Sequence, residues 1–327
     1  MRAFRGRALV AGAGAAAVCL GVAVYLVVAS ATGPPPLAQA SATPTPRPSP
    51  TVAPTPDPTP SPTPTPSASP TPIPQERVTV LVLGSDSNWV RVARGDAPRI
   101  DTIIVASVSA GRDEIVLISI PRDTVDVPMP GSEVWHGKIN TIYALRGMNA
   151  MTAAVETLLE LPIDHHVLVN MDDFSAIVDA LGGIEVDVPF AMNDPKVLLS
   201  IPAGRQQMSG TVALQYVRSR SLDSDFGRAA RQQAVVLAMA RRLANPALVP
   251  DPATVVSRLG SLETDLQLSD LPTALALVQA SIDAHVTSVV LRPPQFAISA
   301  GLSGARGWVM VPNVEEIRSW VREATAD

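Results

Sequence analysis

The chain predicts a layered α/β/α sandwich around a mixed central sheet, carried behind one transmembrane helix and a Pro/Thr-rich linker. Three observations point there. Residues 8–31 form an uncharged apolar run, residues 32–75 are dominated by proline, threonine, serine and alanine, and from residue 76 short Val/Ile/Leu runs alternate with segments of helical spacing. Such alternation is what lets helices cover both faces of a sheet whose strands are buried.

The run ALVAGAGAAAVCLGVAVYLVVASA, Ala8 to Ala31, carries no charge. It has at least the roughly 20 residues that a helix needs to cross a bilayer. Arg2, Arg5 and Arg7 precede it and no charge follows closely. Residues 1–7 are therefore expected as a cytoplasmic tail, with everything after residue 31 outside the cell membrane. The small-residue triplets Ala29-Ser30-Ala31 and Ala38-Gln39-Ala40 leave a cleaved signal peptide as the competing reading. The apolar run is long for one, so an uncleaved single-pass signal-anchor is expected. In the linker, 17 of the 32 prolines fall between Gly33 and Gln75, so no core can form there. A disordered, polyproline-biased spacer of that length reaches up to about 130 Å at about 3.1 Å per residue.

Residues 76–327 are long enough for one large extracytoplasmic domain with its own core. They hold 21 Lys and Arg against 29 Asp and Glu, a formal net charge of −8. That sign argues against a nucleic-acid partner. Cys19, inside the expected span, is the sole cysteine, which excludes disulfides, thiolate catalysis and zinc-thiolate sites outside the membrane.

Within the domain, Arg77 to Gly84, Asp101 to Ser109 and Glu114 to Ile120 read as buried central strands. Asn140 to Glu160 has helical spacing broken near Gly147, His165 to Met171 reads as a strand, and Asp172 is positioned to cap a helix ending at Gly182-Gly183. The strand GIEVDVP follows. Helices are expected at Ser209 to Val217, Phe226 to Ala244, Pro252 to Leu262 and Ser269 to Ala284, and strands at Val286 to Leu291 and Trp308 to Val311. The closing GWVMVPNVEEIRSWV is a strand and helix expected to complete the same sandwich.

The densest chemistry lies between Tyr216 and Gln233, YVRSRSLDSDFGRAARQQ, which holds four arginines, two aspartates and two glutamines. Converging guanidinium forks suit a phosphate or pyrophosphate. Arginine supplies nearly all the positive charge, with Lys138 and Lys196 the only lysines, so a solvated surface run is the alternative. Arg218 and Arg220 share a side only in extended chain, which predicts that the preceding helix ends near Val217. Arg228, Arg231 and Gln232 fall at i, i+3 and i+4 and can share a helix face. Asp225, just before that helix, is either its N-cap or a base for a hydroxyl proton. Asp86 in LVLGSDS and Asp101 in PRIDT lie near strand ends, as carboxylates holding Mg²⁺ or another divalent cation often do. A turn residue and an arginine's partner are the bland readings. Arg99 would point to the side of Asp101, and Pro121 leaves Arg122 and Asp123 at a strand exit. Lys138 and Asn140 in HGKINTIY are weaker candidates. His165-His166 would point to opposite faces, so a shared metal is not expected, and no nucleophile elbow, P-loop or dinucleotide fingerprint occurs.

The ordered set LVLGSDS, PRIDT, VLISIPRD, HGKINTIY, VNMDDFSAIVDALGGIEVDVP, ALQYVRSR and DFGRAARQQ, from Val78 to Arg242, resembles the LytR-CpsA-Psr family of cell-envelope phosphotransferases. The resemblance implies transfer of a glycopolymer phosphate from a polyprenyl-pyrophosphate carrier to a hydroxyl of peptidoglycan or another envelope acceptor, with release of polyprenyl phosphate. It implies Asp86 and Asp101 as the Mg²⁺ carboxylates. The pyrophosphate set it implies is Arg99, Arg122, Arg218, Arg220, Arg228 and Gln232, with Lys138 beside them. It makes Asp225 the base, assisted in catalysis by Arg218, Arg220 and Arg228, and it sets the prenyl chain in an apolar tunnel between sheet and helices. The loop Ser87 to Pro98 is longer than the family's usual one, and Arg99 follows proline where the family has glycine. Two other functions are compatible with the same residues: a scaffold that binds lipid-linked glycan without turnover, and a pyrophosphatase with water as acceptor.

Overall fold

A computed structural model describes residues 75–220, 224–267 and 271–326. The expected tail, the anchor at 8–31 and the linker up to residue 74 lie outside these residues. Among the described residues no helix is long and apolar enough to cross a membrane.

Strand β1 (Val78–Ser85) is followed by a one-turn helix α1 (Trp89–Ala93), then β2 (Ile100–Val108) and β3 (Glu114–Ser119). A small hairpin, β4 (Val127–Pro128) and β5 (Val134–Trp135), leads into α2 (Ile142–Leu159), β6 (His165–Val169) and α3 (Met171–Ala180). Next come β7 (Ile184–Val188), β8 (Met192–Asp194), β9 (Leu199–Ile201) and β10 (Gly204–Met208). The helices α4 (Gly210–Arg218), α5 (Asp225–Leu243) and α6 (Pro252–Leu259) precede β11 (Glu263–Thr264), α7 (Leu271–Ala280) and β12 (His285–Val290). The described chain closes with β13 (Ala297–Leu302), β14 (Trp308–Pro312) and α8 (Val314–Ala324).

The central sheet has the order β11-β6-β1-β2-β3-β12. It is mixed: β1, β2 and β3 form an antiparallel meander, β6 joins β1 and β12 joins β3 in parallel, and β11 runs antiparallel to β6. Period two along β1 sorts its side chains between two cores. Val80 and Val82 pack beneath α3, α4, α5 and α6, with Ile177, Tyr216, Met239 and Val255. Leu81 and Leu83 pack beneath α2 and α8, with Met151, Leu158, Ile317 and Val321.

The expected helix break near Gly147 is present: a 3₁₀ turn at Ile139–Thr141 leads into α2, and Gly147 interrupts it at φ 80°, a conformation costly for any residue with a Cβ. Three local expectations are corrected. Asn170, not Asp172, caps α3 by accepting from the Asp173 amide; Asp172 instead accepts from the Trp89 amide at 2.8 Å and ties down α1. The strand around Trp308 does not join the central sheet. It pairs with β13 and bridges to Thr124, while α8 packs over α2 as the closing helix. His165 and His166 do not diverge, because Asp265 beyond β11 reaches the Nδ1 of both, at 3.2 and 3.3 Å. Strands β8, β9 and β10 were not anticipated; each is short and lacks a run of β-branched residues.

Candidate active site

The site begins with an irregularity in the central pair. Gly84 faces Thr102 but Ser85 faces Ile100, so Asp101 is the extra residue of a β-bulge. A bulge re-aims the side chain it carries. Gly84 permits the close approach, since a Cβ there would lie 2.8 Å from the Thr102 Cβ and Oγ1. Beyond the strand, Asp86 and Arg99 exchange backbone and side-chain hydrogen bonds that close the loop between them: Asp86 N donates to Arg99 O, and Arg99 N donates to Asp86 Oδ1, both at 3.0 Å. Inside that loop the Asn88 side chain caps α1, which delivers Arg91 to Asp86 at 3.2 Å. Arg99 pairs with the same carboxylate at 3.1 Å and its side chain is 58% exposed.

Arg122 leaves β3 into a ring of acids, 2.7 Å from Asp101 and 3.5 Å from both Asp123 and Asp225. Burial alone would push its guanidinium down, but Asp101, Asp225 and Asp123 together hold it above its ordinary value. Lys138 neutralises Asp123 at 2.6 Å.

Helix α4 ends at Arg218, one residue beyond the expected Val217, and Ser219 turns the chain into extended backbone. Arg220 then forks onto Asp225, with Nε to Oδ1 at 2.6 Å and Nη2 to Oδ2 at 3.1 Å. Asp225 is the first residue of α5 and Ser224 holds the N-cap position, so the N-cap reading of Asp225 is overturned. Arg228 is buried at 6% exposure and 3.7 Å from Asp225. Burial holds its guanidinium below the ordinary value, opposed by Asp225, with Arg122 and Arg220 pushing the same way as burial; arginine remains charged regardless. Among the described residues the buried Nε atoms of Arg122 and Arg228 make no hydrogen bond, although that of Arg122 lies 3.5 Å from the carboxylates of both Asp123 and Asp225. Arg218 makes no ion pair among the described residues.

Gln232 donates to Val217 O at 3.4 Å, and Arg231 likewise faces the end of α4 but does not line the spaces that Arg228 and Gln232 share. Arg231 turns back to donate to Tyr216 O at 3.1 Å and to Ser219 O at 2.5 Å, closing off the last carbonyls of α4. The turn is held from its other side by buried Asp194, which accepts from Ser219 Oγ at 2.7 Å and Arg220 N at 3.2 Å.

These elements surround a cavity of about 260 Å³ between β1, β6 and the helices α3, α4 and α5. Its floor and far wall are apolar, with Val82, Val169, Phe174, Leu214, Val217 and Met239, and its polar end gathers Asp86, Asp101, Arg218, Arg220, Arg228 and Gln232. A small pocket on the other side of the first turn of α5 shares Asp101, Arg228 and Gln232 with the cavity and adds Arg122, Asp123, Asp225, Phe226 and Trp308. Arg99 and Lys138 line neither space.

Asp86 and Asp101 fit a hard divalent cation by donor chemistry: both are carboxylates on one polar wall of the cavity. No group of three or more His, Cys, Asp or Glu suited to a metal occurs among the described residues. Such an ion would take its remaining oxygens from substrate and water, as Mg²⁺ usually does. Sequence reasoning missed Arg91, Asp194 and Trp308. Asn88 ahead of WVRVA is a legible capping signal for Arg91; nothing local marks the other two.

Fold and site define a class: an α/β protein with an arginine- and aspartate-lined end opening onto an apolar cavity. The chain belongs to the LytR_cpsA_psr family, whose pattern matches residues 58–299. It is 35% identical over 206 residues to the polyisoprenyl-teichoic acid–peptidoglycan teichoic acid transferase TagU of Halalkalibacterium halodurans, covering 59% of this chain and 62% of that protein. It is 33% identical over 201 residues to the TagU of Enterococcus faecalis, covering 60% and 64%. The chain thus spans less than two thirds of the length of these curated relatives. The crystal structure of Bacillus subtilis TagV superposes with a TM-score of 0.62 at 24% identity over 77% of this chain and 98% of that one, a likeness of fold.

Proposed function

We propose that this protein is a membrane-anchored transferase that moves a glycopolymer phosphate from a polyprenyl-pyrophosphate donor to a hydroxyl of peptidoglycan or another cell-envelope acceptor. The observation that carries this reading is the two-part cavity, apolar along its length and cationic at one end. A polyprenyl pyrophosphate has the same two parts. The names of the TagU relatives, which specify polyisoprenyl-linked teichoic acid and peptidoglycan, support the same class of donor and acceptor.

In this reading the prenyl chain lies against Phe174, Leu214 and Met239, and the pyrophosphate meets Arg218, Arg220, Arg228 and Gln232. The phosphate displaces Asp225 from Arg220, which frees a carboxylate oxygen. The acceptor oxygen bonds to the phosphorus that bears the glycan, and its proton passes to Asp225. The bridging P–O bond breaks with its electron pair on the departing polyprenyl phosphate. Arg122 and Arg228 offset the charge on the phosphoryl oxygens, where positioned cations contribute most. Asp86 and Asp101 would hold Mg²⁺, which when bound would neutralise part of the pyrophosphate charge. Arg99 and Lys138 act on neighbours, through Asp86 and Asp123. Anchoring through residues 8–31 with the amino terminus in the cytoplasm would hold the domain on the outer side, where the linker gives it reach.

The test is incubation of the full chain in detergent with a polyprenyl-pyrophosphate oligosaccharide, Mg²⁺ and peptidoglycan fragments, followed by mass spectrometry. A phosphodiester-linked conjugate plus polyprenyl phosphate is expected. Donor bound but unchanged would replace the reading with a scaffold, and free glycan phosphate would replace it with a pyrophosphatase.

A further inference from the structure

We infer that the acceptor binds in a groove on the opposite side of α5 from the lipid cavity, and that it is a glycan bearing a carboxylate. This rests on the transferase reading above. The three spaces around the first turns of α5 share lining residues. The apolar cavity meets the small pocket at Asp101, Arg228 and Gln232. That pocket meets a groove of about 660 Å³ at Phe226, and the groove runs along α5 and edge strand β12. Asp225 lines the small pocket and not the lipid cavity. In-line phosphoryl transfer puts the attacking and leaving oxygens on opposite sides of phosphorus. A leaving group that departs into the lipid cavity therefore requires an acceptor arriving from the side of Asp225, which is where the groove opens.

The small pocket beside the groove carries a side chain suited to a sugar, Trp308, which does not line the groove itself. Trp308 stands edge-on to Phe226 with ring centroids 6.0 Å apart, beside Asp225 and Arg122. Its indole N–H makes no hydrogen bond among the described residues. An aromatic face with a free donor is apt for a saccharide ring, whose C–H face packs while its hydroxyls accept. Trp308 is also held firmly relative to the chemistry: on its strand, Met310 N donates to Asp123 O at 3.1 Å and Met310 O accepts from Val125 N at 2.9 Å. The hairpin β13–β14 is thereby stitched to the loop that carries Arg122 and Asp123. Arg292 is the one charged side chain lining the groove, is exposed, and has no ion pair among the described residues. It matches a carboxylate on the acceptor. Peptidoglycan, through its stem-peptide carboxylates and, where the peptide has been removed, its lactyl carboxylate, supplies sugar hydroxyls and carboxylates on one strand.

The experiment uses the full chain in detergent with a fixed lipid-linked donor and two acceptors of equal length, a peptidoglycan glycan with free carboxylates and the same glycan amidated. Wild type should favour the free-carboxylate acceptor. Trp308→Ala should raise the KM for both acceptors about tenfold while the donor KM moves less than about twofold, and Trp308→Phe should recover most of the loss. Arg292→Gln should erase the preference for the free carboxylate. Unchanged acceptor KM in Trp308→Ala, or acceptor and donor KM rising together, overturns the assignment, as does a preference that survives Arg292→Gln. Calorimetric titration of the same acceptors into wild type and both variants reads the groove independently of turnover. Binding lost in the variants sustains the inference even if no product forms and the transferase reading fails, whereas binding equal in all three, or none in wild type, removes it.

Discussion

The two faces of the central sheet are built from the same strands and do opposite things. Under α2 and α8 the side chains of Leu81, Leu83, Ile103 and Val105 meet Met151, Leu158 and Ile317 in a core whose members are almost all fully buried. Under α3, α4 and α5 the equally apolar Val82 and Val169 front a cavity, and the arginines collect at its end. Strand composition does not distinguish the faces. What does is where helices stop: α2 covers its face along 18 residues, whereas α4 ends at Arg218 and α5 starts at Asp225. That gap opens the second face and exposes helix ends to charge. The solid face is a closed core, and the hollow one is where the proposed chemistry would take place.

The sharpest separation should come from Asp225→Ala and Met151→Ala. Loss of a general base costs about 10²- to 10⁴-fold in rate, so Asp225→Ala should nearly abolish conjugate formation by mass spectrometry, beyond what the lowered urea midpoint from unpairing Arg122 and buried Arg228 accounts for. Near-normal transfer by this variant would remove Asp225 from the base role. On the solid face, Met151→Ala should cost about 2–5 kcal/mol. Met239→Ala, which is equally buried but lines the cavity, should cost clearly less in the same urea titration, because truncation there enlarges an existing space instead of opening one. Equal losses would mean that the cavity is filled or collapsed in solution.

Filling the hollow is a gentler perturbation. Leu214→Trp should leave the fold intact and raise the KM for a long-chain prenyl donor about tenfold, while a donor with a short chain is affected little. Arg231→Ala, which leaves the carbonyls of Tyr216 and Ser219 without their donor, should cost about 1–3 kcal/mol. Its transfer rate should fall far less than that of Asp225→Ala, since Arg231 stabilises the turn rather than meeting the phosphate. The smallest effect belongs to the β2–β3 turn, remote from both faces. There the Ser109 hydroxyl donates to Asp113 at 2.8 Å and holds its carboxyl below the ordinary value. That contribution is present above the ordinary carboxylate value and is lost as pH falls through the lowered one, so Ser109→Ala should flatten the acid-side decline of Tm below about pH 4.

Legibility followed the range of the interactions involved. The three central strands, the Gly147 break, the stop before Gly182 and the separation of Arg218 from the next helix depend on neighbours within a few residues. They were readable because local sterics and hydrophobic period decide them. Asp123, Asp225 and Arg228 were visible as charges next to element ends. Arg231 was not separable from Arg228, because three residues on a helix are only about 60° apart, and which of the two faces the cavity depends on where α4 happens to end. Asp194 carried no signal, since its role arises from packing against Ser219, a residue 25 positions away.

By itself the sequence determined the order of the longer strands and helices, the placing of its one cysteine in the expected span, and a clustering of arginines suited to an anion. These rest on composition, period and charge, all properties of short segments. Tertiary structure alone decided that Asp101 sits in a bulge, that Arg99 is spent on Asp86, that Arg231 caps a helix, and that Trp308 stands beside Asp225. Each of those depends on strand register or on the docking of elements far apart in the chain. A shift of one residue in pairing, or of one turn in packing, would reverse the direction of those side chains without altering a single local preference.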